Sequence, residues 1–353
     1  MRAGAGVLSL RVLGVRRLPY TTRDRLKGLT GRLRFSILTK SYLHVGSGRE
    51  SLDIGEDLLE AVRSCGSLEE IVDRIRRGEL RVSGSECLTV VRYGGLVCVP
   101  GSSIKGLVRS RLELTVRPVD DYVEACLRVI SQSGGRRAPA SVMHARIWGD
   151  SLSLSRDQPC NPLSLGSYDL CPVCNIFGAP GVASRVFFGN ACSNAETSFR
   201  EFEKGMCLEL IPPQTVFSGE LMFLGLAPEE LGLILIGMGA RKDGGFNDVL
   251  LGRSKYRRLK SVDGKLLEFG RVVFSVNSIS FRKYGGVNVR EALRLPESCK
   301  EHNGYVECDS QAVGELVPTL VDLAVSKFKS FAETPNFSEA LKRDELISGG
   351  GQR

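Results

Sequence analysis

No run in the 353-residue sequence approaches the roughly 18 to 20 continuous apolar residues that a membrane span needs. Between Met1 and Thr30 there is no compact apolar segment before a small-residue cleavage site, so no secretory signal is read and a cytoplasmic protein is expected. A nucleotide-binding glycine loop of Walker or Rossmann form is missing too. No histidine and carboxylate pair stands at a recognisable catalytic spacing, which disfavours a metabolic enzyme. There is no tandem repeat.

What is there in excess is positive charge: 48 Lys and Arg against 40 Asp and Glu, with a pI of about 9.0. That balance suits a polyanionic partner. The basic residues cluster at Arg11–Arg34, Arg74–Arg81, Arg109–Arg117 and Arg241–Lys260. The length implies one large elaborated domain or two fused lobes.

Along the chain, Leu33–Leu43 alternates apolar and polar residues and predicts a strand ending in the glycine turn His44-Val-Gly-Ser-Gly48. Asp53–Cys65 and Ser67–Arg77 carry helical spacing, the second with Ser67 as cap. Cys87–Arg92 and Gly95–Val99 predict a hairpin, and Ser103–Leu114 a helix. Ile130–Leu170 is rich in Gly, Ser and Pro and reads as a long excursion from the core. Strands follow at Val186–Gly189, Glu209–Pro212, Thr215–Leu224 and Gly270–Ser280, with helices at Pro228–Met238 and Val313–Lys329. This order predicts an α+β, ferredoxin-like (RRM-like) fold, an antiparallel sheet backed by helices. The expected organisation is a basic leader over 1–32, one elaborated domain over 33–345 and a tail over 346–353. A helical insertion (about 53–80) and the excursion (about 130–180) decorate that domain.

The sharpest segment is Val99-Pro-Gly-Ser-Ser-Ile-Lys-Gly-Leu-Val-Arg-Ser-Arg111. Gly101 permits a tight turn, and Ser102 or Ser103 can cap the helix that follows. Lys105 and Arg109 then stand one turn apart at a positive helix end, an arrangement suited to phosphate. The plainer reading is a strand–turn–helix with a solvated basic face.

This segment resembles the signature of the RAMP superfamily, the repeat-associated proteins that form the RNA-binding backbone of CRISPR effector complexes. Three further segments resemble that family in the same order. They are Leu43-His-Val-Gly-Ser-Gly48, Cys171-Pro-Val-Cys-Asn-Ile-Phe-Gly178 with Ser184–Gly189, and Leu266–Phe274. The resemblance implies a guide-RNA-binding subunit of a type III CRISPR effector complex acting in antiviral defence. A thumb-like excursion would reach over the neighbouring guide–target duplex. Its implied partners are the CRISPR guide RNA, a complementary target RNA and other subunits of the complex, and no membrane. It places Ser102, Ser103, Lys105 and Arg109 at the RNA, with the turn glycines Gly46 and Gly48 and with Gly101. Recognition through phosphate and shape suits a protein that must accept any guide sequence.

Two other clusters carry chemistry. Cys171-x-x-Cys174 has the spacing of a zinc knuckle, and His144 and Cys160 upstream complete a Cys₃His set for structural zinc. Cys192 is a substitute ligand, and reduced thiols or a disulfide are the alternative. Cys65, Cys87, Cys98, Cys126 and Cys207 stand singly among apolar residues and read as small buried hydrophobes. The loop Gly239–Lys260 offers Arg241, Lys242 and Arg253 to phosphate, with Phe246 or Tyr256 placed to stack on a base.

Some type III backbone subunits cut target RNA with an aspartate after the first glycine turn. Here that role would fall to Asp53 or Asp57, with a divalent metal to assist cleavage. Against it, Asp53–Cys65 reads as a helix, where acids near the start are stabilised by the dipole without catalysis. A single-copy capping subunit is the remaining alternative.

Overall fold

The computed structural model describes residues 10–331 apart from 25–26, 55–59, 61–62, 80–83, 117–118, 121, 127–151, 156–158, 204, 256–257 and 284–287. Four strands make its centre: β1 (Leu29–Thr39), β2 (Val186–Phe188), β3 (Val216–Leu226) and β4 (Arg271–Arg282). In β1 the alternation of the sequence becomes a two-faced strand. Leu33, Phe35 and Ile37 are fully buried, while Arg32 and Arg34 face solvent. Hydrogen bonding orders the strands β4-β1-β3-β2, every neighbour antiparallel. Helix α1 (Gly101–Thr115) joins β1 to β2 in sequence, and α2 (Pro228–Gly237) joins β3 to β4. The fold is therefore α+β and ferredoxin-like, as the sequence predicts.

Packing follows from a few close approaches. Phe35 stands opposite Gly219 in β3, where a Cβ would fall 2.7 Å from its ring. The missing side chain makes room for that ring, which also meets Phe274 of β4 at 5.7 Å between centroids. Helix α2 is apolar on every side and buried from Glu230 to Gly237, so it needs cover beyond the sheet. α3 (Ser310–Lys327) supplies it, crossing so closely that a Cβ on Gly232 would lie 1.9 Å from the Leu320 carbonyl oxygen. Asp309 caps α3, accepting the Gln311 and Ala312 N–H groups at 3.1 Å each.

A second, four-stranded sheet (Ser198–Phe202, Met206–Leu210, Gly84–Val90 and Gly46–Ile54) stands over a small core of Phe202, Leu208, Leu210 and Phe269. Its fourth strand takes Asp53 and Ile54 out of the helix read over Asp53–Cys65, of which Glu60, Arg63 and Ser64 are helical. Residues 46–54 pair with Gly84–Val90, and Asp53 sits opposite Ser85. Long-range pairing has overridden the local helical spacing there. The next helix, Leu68–Arg76, does form, with Ser67 Oγ accepting the Glu70 N–H, although none of its residues is buried.

The cysteine reading needs a larger correction. Cys87 is bonded to Cys207, Cys98 to Cys192, and Cys299 to Cys308. The first two pairs are directly opposed strand residues 120 and 94 positions apart, so neither a single buried thiol nor a Cys192 metal ligand describes them. Part of the basic leader is also tied down. Leu10–Val15 runs parallel to Leu152–Ser155, and Leu18–Pro19 pairs with Asp169–Leu170. Among the described residues no helix is long and apolar enough to cross a membrane.

Candidate nucleic-acid interface and thiolate centre

After β1 the chain passes the buried His44 and enters the strand Gly46–Ile54, where the expected glycine turn is a register irregularity between Gly46 and Glu50. Gly48 has φ of 76°, a left-handed conformation that glycine adopts without strain. Gly46 is needed for another reason: a Cβ there would lie 3.1 Å from His44 Nε2. His44 Nδ1–H donates to the Glu209 carbonyl at 2.8 Å, which defines a neutral tautomer. Burial lowers the His44 pKa, and the nearby Arg253 guanidinium adds to the effect.

Glu209 is buried beneath this turn. Its carboxylate accepts the Val90 N–H at 2.8 Å, the Thr197 hydroxyl and a two-pronged Arg92 guanidinium. Burial pushes the carboxyl up, but these donors outweigh it and hold it below the usual carboxylate range. The result is a rigid floor. Beside it opens a groove of about 470 Å³, lined by Ser47, Arg49, Thr89, Arg92, Tyr93 and Pro100. Tyr93 is 52% exposed, and the exposed Arg49 guanidinium has no ion-pair partner among the described residues.

Pro100 is the residue before α1, so the glycine turn and the helix start, far apart in sequence, border one groove. Gly101 opens the helix and gives its N–H to Asn190 Oδ1 at 3.0 Å. A Cβ on Gly101 would fall 1.9 Å from the Phe188 carbonyl oxygen, so close packing, not turn geometry, demands glycine here. Ser102 and Ser103 are not caps, because the cap position is Pro100 and carries no side-chain bond. They lie within the first turn, Ser102 exposed and Ser103 half-buried, with Lys105 half-buried one turn on. Burial, then Arg109, lowers the Lys105 pKa.

Arg109 itself corrects the expectation of a phosphate ligand. Its guanidinium points inward, donating to Glu113 Oε1 at 2.9 Å, the Gly178 carbonyl at 3.0 Å and Cys174 Sγ at 3.3 Å. The loop after α2 divides. Arg253 lies beside the turn, its backbone N–H on the His44 carbonyl at 2.9 Å. Arg241 is held by Asp243 at 2.9 Å and Lys242 stands 4.0 Å from Asp322 of α3, so neither is brought to the groove. Asp53 is the next-to-last residue of its strand, at the end away from Gly46. Asp57 and His144 lie outside the described residues.

The second centre is buried. Cys160, Cys171 and Cys174 converge as expected, and Cys126 joins them, all four sulfurs within 4.8 Å of one another. From Cys126 the separations are 3.3 Å to Cys160, 3.6 Å to Cys171 and 3.8 Å to Cys174. A tetrahedral ion with bonds of about 2.3 Å requires sulfurs about 3.8 Å apart, so the cage fits one. Cys126 supplies the fourth ligand atom, a place that the sequence reading gave to His144. Nor does the segment lack a core: Val173, Ile176 and Phe177 pack into the main one. Without a cation the thiols oppose one another. S–H donors from Cys126, Cys171 and Cys174 pull Cys160 down, burial pushes Cys171 up, and the sulfurs of Cys126 and Cys160 push Cys174 up.

Four contributors escaped the sequence reading: Arg49, Arg92, Tyr93 and Cys126. Tyr93 did carry a signal, an aromatic before the Gly94–Gly95 turn. Cys126 carried none, since its apolar neighbours matched those of the bonded cysteines.

The model of the RAMP superfamily matches residues 36–281. Among solved structures the chain is similar to Csc2 of Thermofilum pendens, with 15% identity, 94% of this chain and 92% of that chain covered, and a TM-score of 0.37. No curated protein matches the sequence.

Proposed function

The chain belongs to the RAMP superfamily, and from that premise we propose that it is a guide-RNA-binding subunit of a type III CRISPR effector ribonucleoprotein. One observation carries the reading: Ser47 and Arg49 of the glycine segment and Pro100, the residue before helix α1, line a single open groove. Arg49, Lys105 and the Ser102 hydroxyl are placed for phosphate, and the exposed Tyr93 ring for stacking on a base. None of these groups reads a base edge, which suits a guide of any sequence. Its partners are the guide RNA, a complementary target RNA and the other subunits of the complex. The four-cysteine centre holds structural zinc, which would staple the returning excursion to the core.

Pull-down from the native host, with sequencing of bound RNA, tests this. Short RNAs sharing a repeat-derived end support it, and their absence refutes it. A second reading, target-RNA cleavage, gains from one observation: Asp53 stands in an extended strand opposite Ser85 rather than inside a helix. The Asp53→Ala and Asp57→Ala variants test it. Cleavage lost with assembly retained would establish a nuclease, and unchanged products would end that reading.

A further inference from the structure

Each sulfur of the buried centre receives one N–H donor. The Cys160 amide donates to Cys126 Sγ at 3.2 Å, the Cys171 amide to Cys160 Sγ at 3.3 Å, and the Cys174 amide to Cys171 Sγ at 3.4 Å. Cys174 has no amide donor among the described residues; Arg109 Nη2 takes that place at 3.3 Å. N–H donors favour a thiolate over a thiol. A full set on four converging sulfurs is the outer shell that the ligands of a bound cation need.

Arg109 is the one member of this shell that comes from elsewhere in the fold. It belongs to α1, whose N-cap residue Pro100 lines the groove. Its remaining donors hold Glu113 of the same helix and the carbonyl of Gly178, which ends the helix Pro172–Phe177 bearing Cys174. One guanidinium thus clamps the cysteine helix to the helix that starts beside the groove. Fixing Cys174 Sγ in place therefore also fixes the guanidinium that joins the two helices.

We propose that Arg109 is a positioning residue that completes the donor shell of a thiolate-bound divalent cation and thereby couples metal loading to RNA affinity. The inference rests on the RNA-binding and zinc readings above.

The full-length chain loaded with zinc or cobalt(II) serves for the test. Metal affinity is read by competition with a chelator, the sulfur–cobalt absorption by spectroscopy, and RNA affinity by filter binding with a short single-stranded RNA of mixed sequence. Arg109→Ala is expected to weaken zinc binding on the order of 10- to 100-fold, shift the cobalt spectrum and weaken RNA binding, with excess zinc restoring the RNA affinity. Arg109→Lys keeps the charge but not the fork and should fall between, and it replaces the alanine variant if that chain does not fold. Lys105→Ala should weaken RNA alone. Two outcomes overturn the inference: RNA affinity falling in the Arg109 variants while zinc affinity and cobalt spectrum stand, or zinc affinity falling while RNA affinity stands. Wild-type chain that takes up neither metal sinks the zinc reading and the inference with it. Wild-type chain that loads zinc yet binds no RNA sinks the functional reading and the coupling, and is recognised by a cobalt spectrum that still responds to Arg109.

Discussion

The groove and the thiolate centre share helix α1 but are built on opposite terms. In the centre all four sulfurs are buried and each has its own N–H donor. At the groove Arg49 and Tyr93 stay exposed, and the saturated bonding lies underneath, in the Glu209 floor. A buried charge cluster tolerates no open valence, because each unpaired group would bear its full desolvation cost. A surface meant for a polyanion keeps its cations available, since its affinity comes from displacing counterions. Substitutions at the two places should therefore separate stability from RNA affinity.

The largest effect is expected at the centre. Cys171→Ala removes one of the four sulfurs of the proposed zinc site. Structural zinc in small domains contributes about 10 to 16 kcal/mol of apparent binding free energy. Metal analysis and thermal unfolding should thus show loss of the ion and a sharply lowered Tm. A metal-free variant that melts like the parent would remove the centre's structural role.

Next comes the floor. Glu209→Ala strips the acceptor from the buried Val90 N–H, from Thr197 and from Arg92, whose side chain is 40% exposed. Because Arg92 can turn to water, the cost is that of unsatisfied buried donors, about 2 to 3 kcal/mol, read by urea unfolding. RNA affinity should fall with it, since Arg92 and the Gly46–Gly48 turn rest on this carboxylate. An unchanged urea midpoint would mean that the floor does not hold the groove.

The contrast also explains what could be read in advance. Two borders of the groove were legible because each is local, the glycine segment and the Pro-Gly-Ser-Ser helix start, whereas Arg49, Arg92 and Tyr93 between them were not. That the two borders meet was not, because Asp53 and its neighbours read as a helix where a strand partner 32 residues on takes them into a sheet. Cys171 and Cys174 were legible through their spacing within one turn of chain. Cys126 was not, since the sequence around it looks like that around Cys87 and Cys98, whose partners are set by strand register. Arg109 shows the limit most plainly. Its one-turn spacing from Lys105 fits a phosphate clamp, yet its orientation is decided by Glu113, Gly178 and Cys174.

Smaller effects belong to the groove's own surface. Arg49→Ala and Lys105→Ala should each weaken RNA binding without moving the melt. Plots of log affinity against log salt should lose about one unit of slope for each phosphate contact removed. A slope unchanged in both variants would place the RNA elsewhere.

The smallest effect is a pH dependence that joins turn and floor. His44 is fully buried, its Nδ1–H is committed to Glu209, and its pKa lies below the ordinary 6.5 because of burial. Between that lowered value and about 6.5 the unfolded chain binds a proton that the folded chain does not. Stability should therefore be level above this window and fall as pH drops through it. Glu209, whose folded pKa is also lowered, acts in a separate and more acidic window. Urea unfolding from pH 7.5 downward should show the first decline in the parent and lose it in His44→Asn, whose amide nitrogen replaces Nδ1 as donor to the Glu209 carbonyl without titrating. If both proteins decline alike, the neutral imidazole is not what the turn depends on, and Gly46 must be required for its backbone alone.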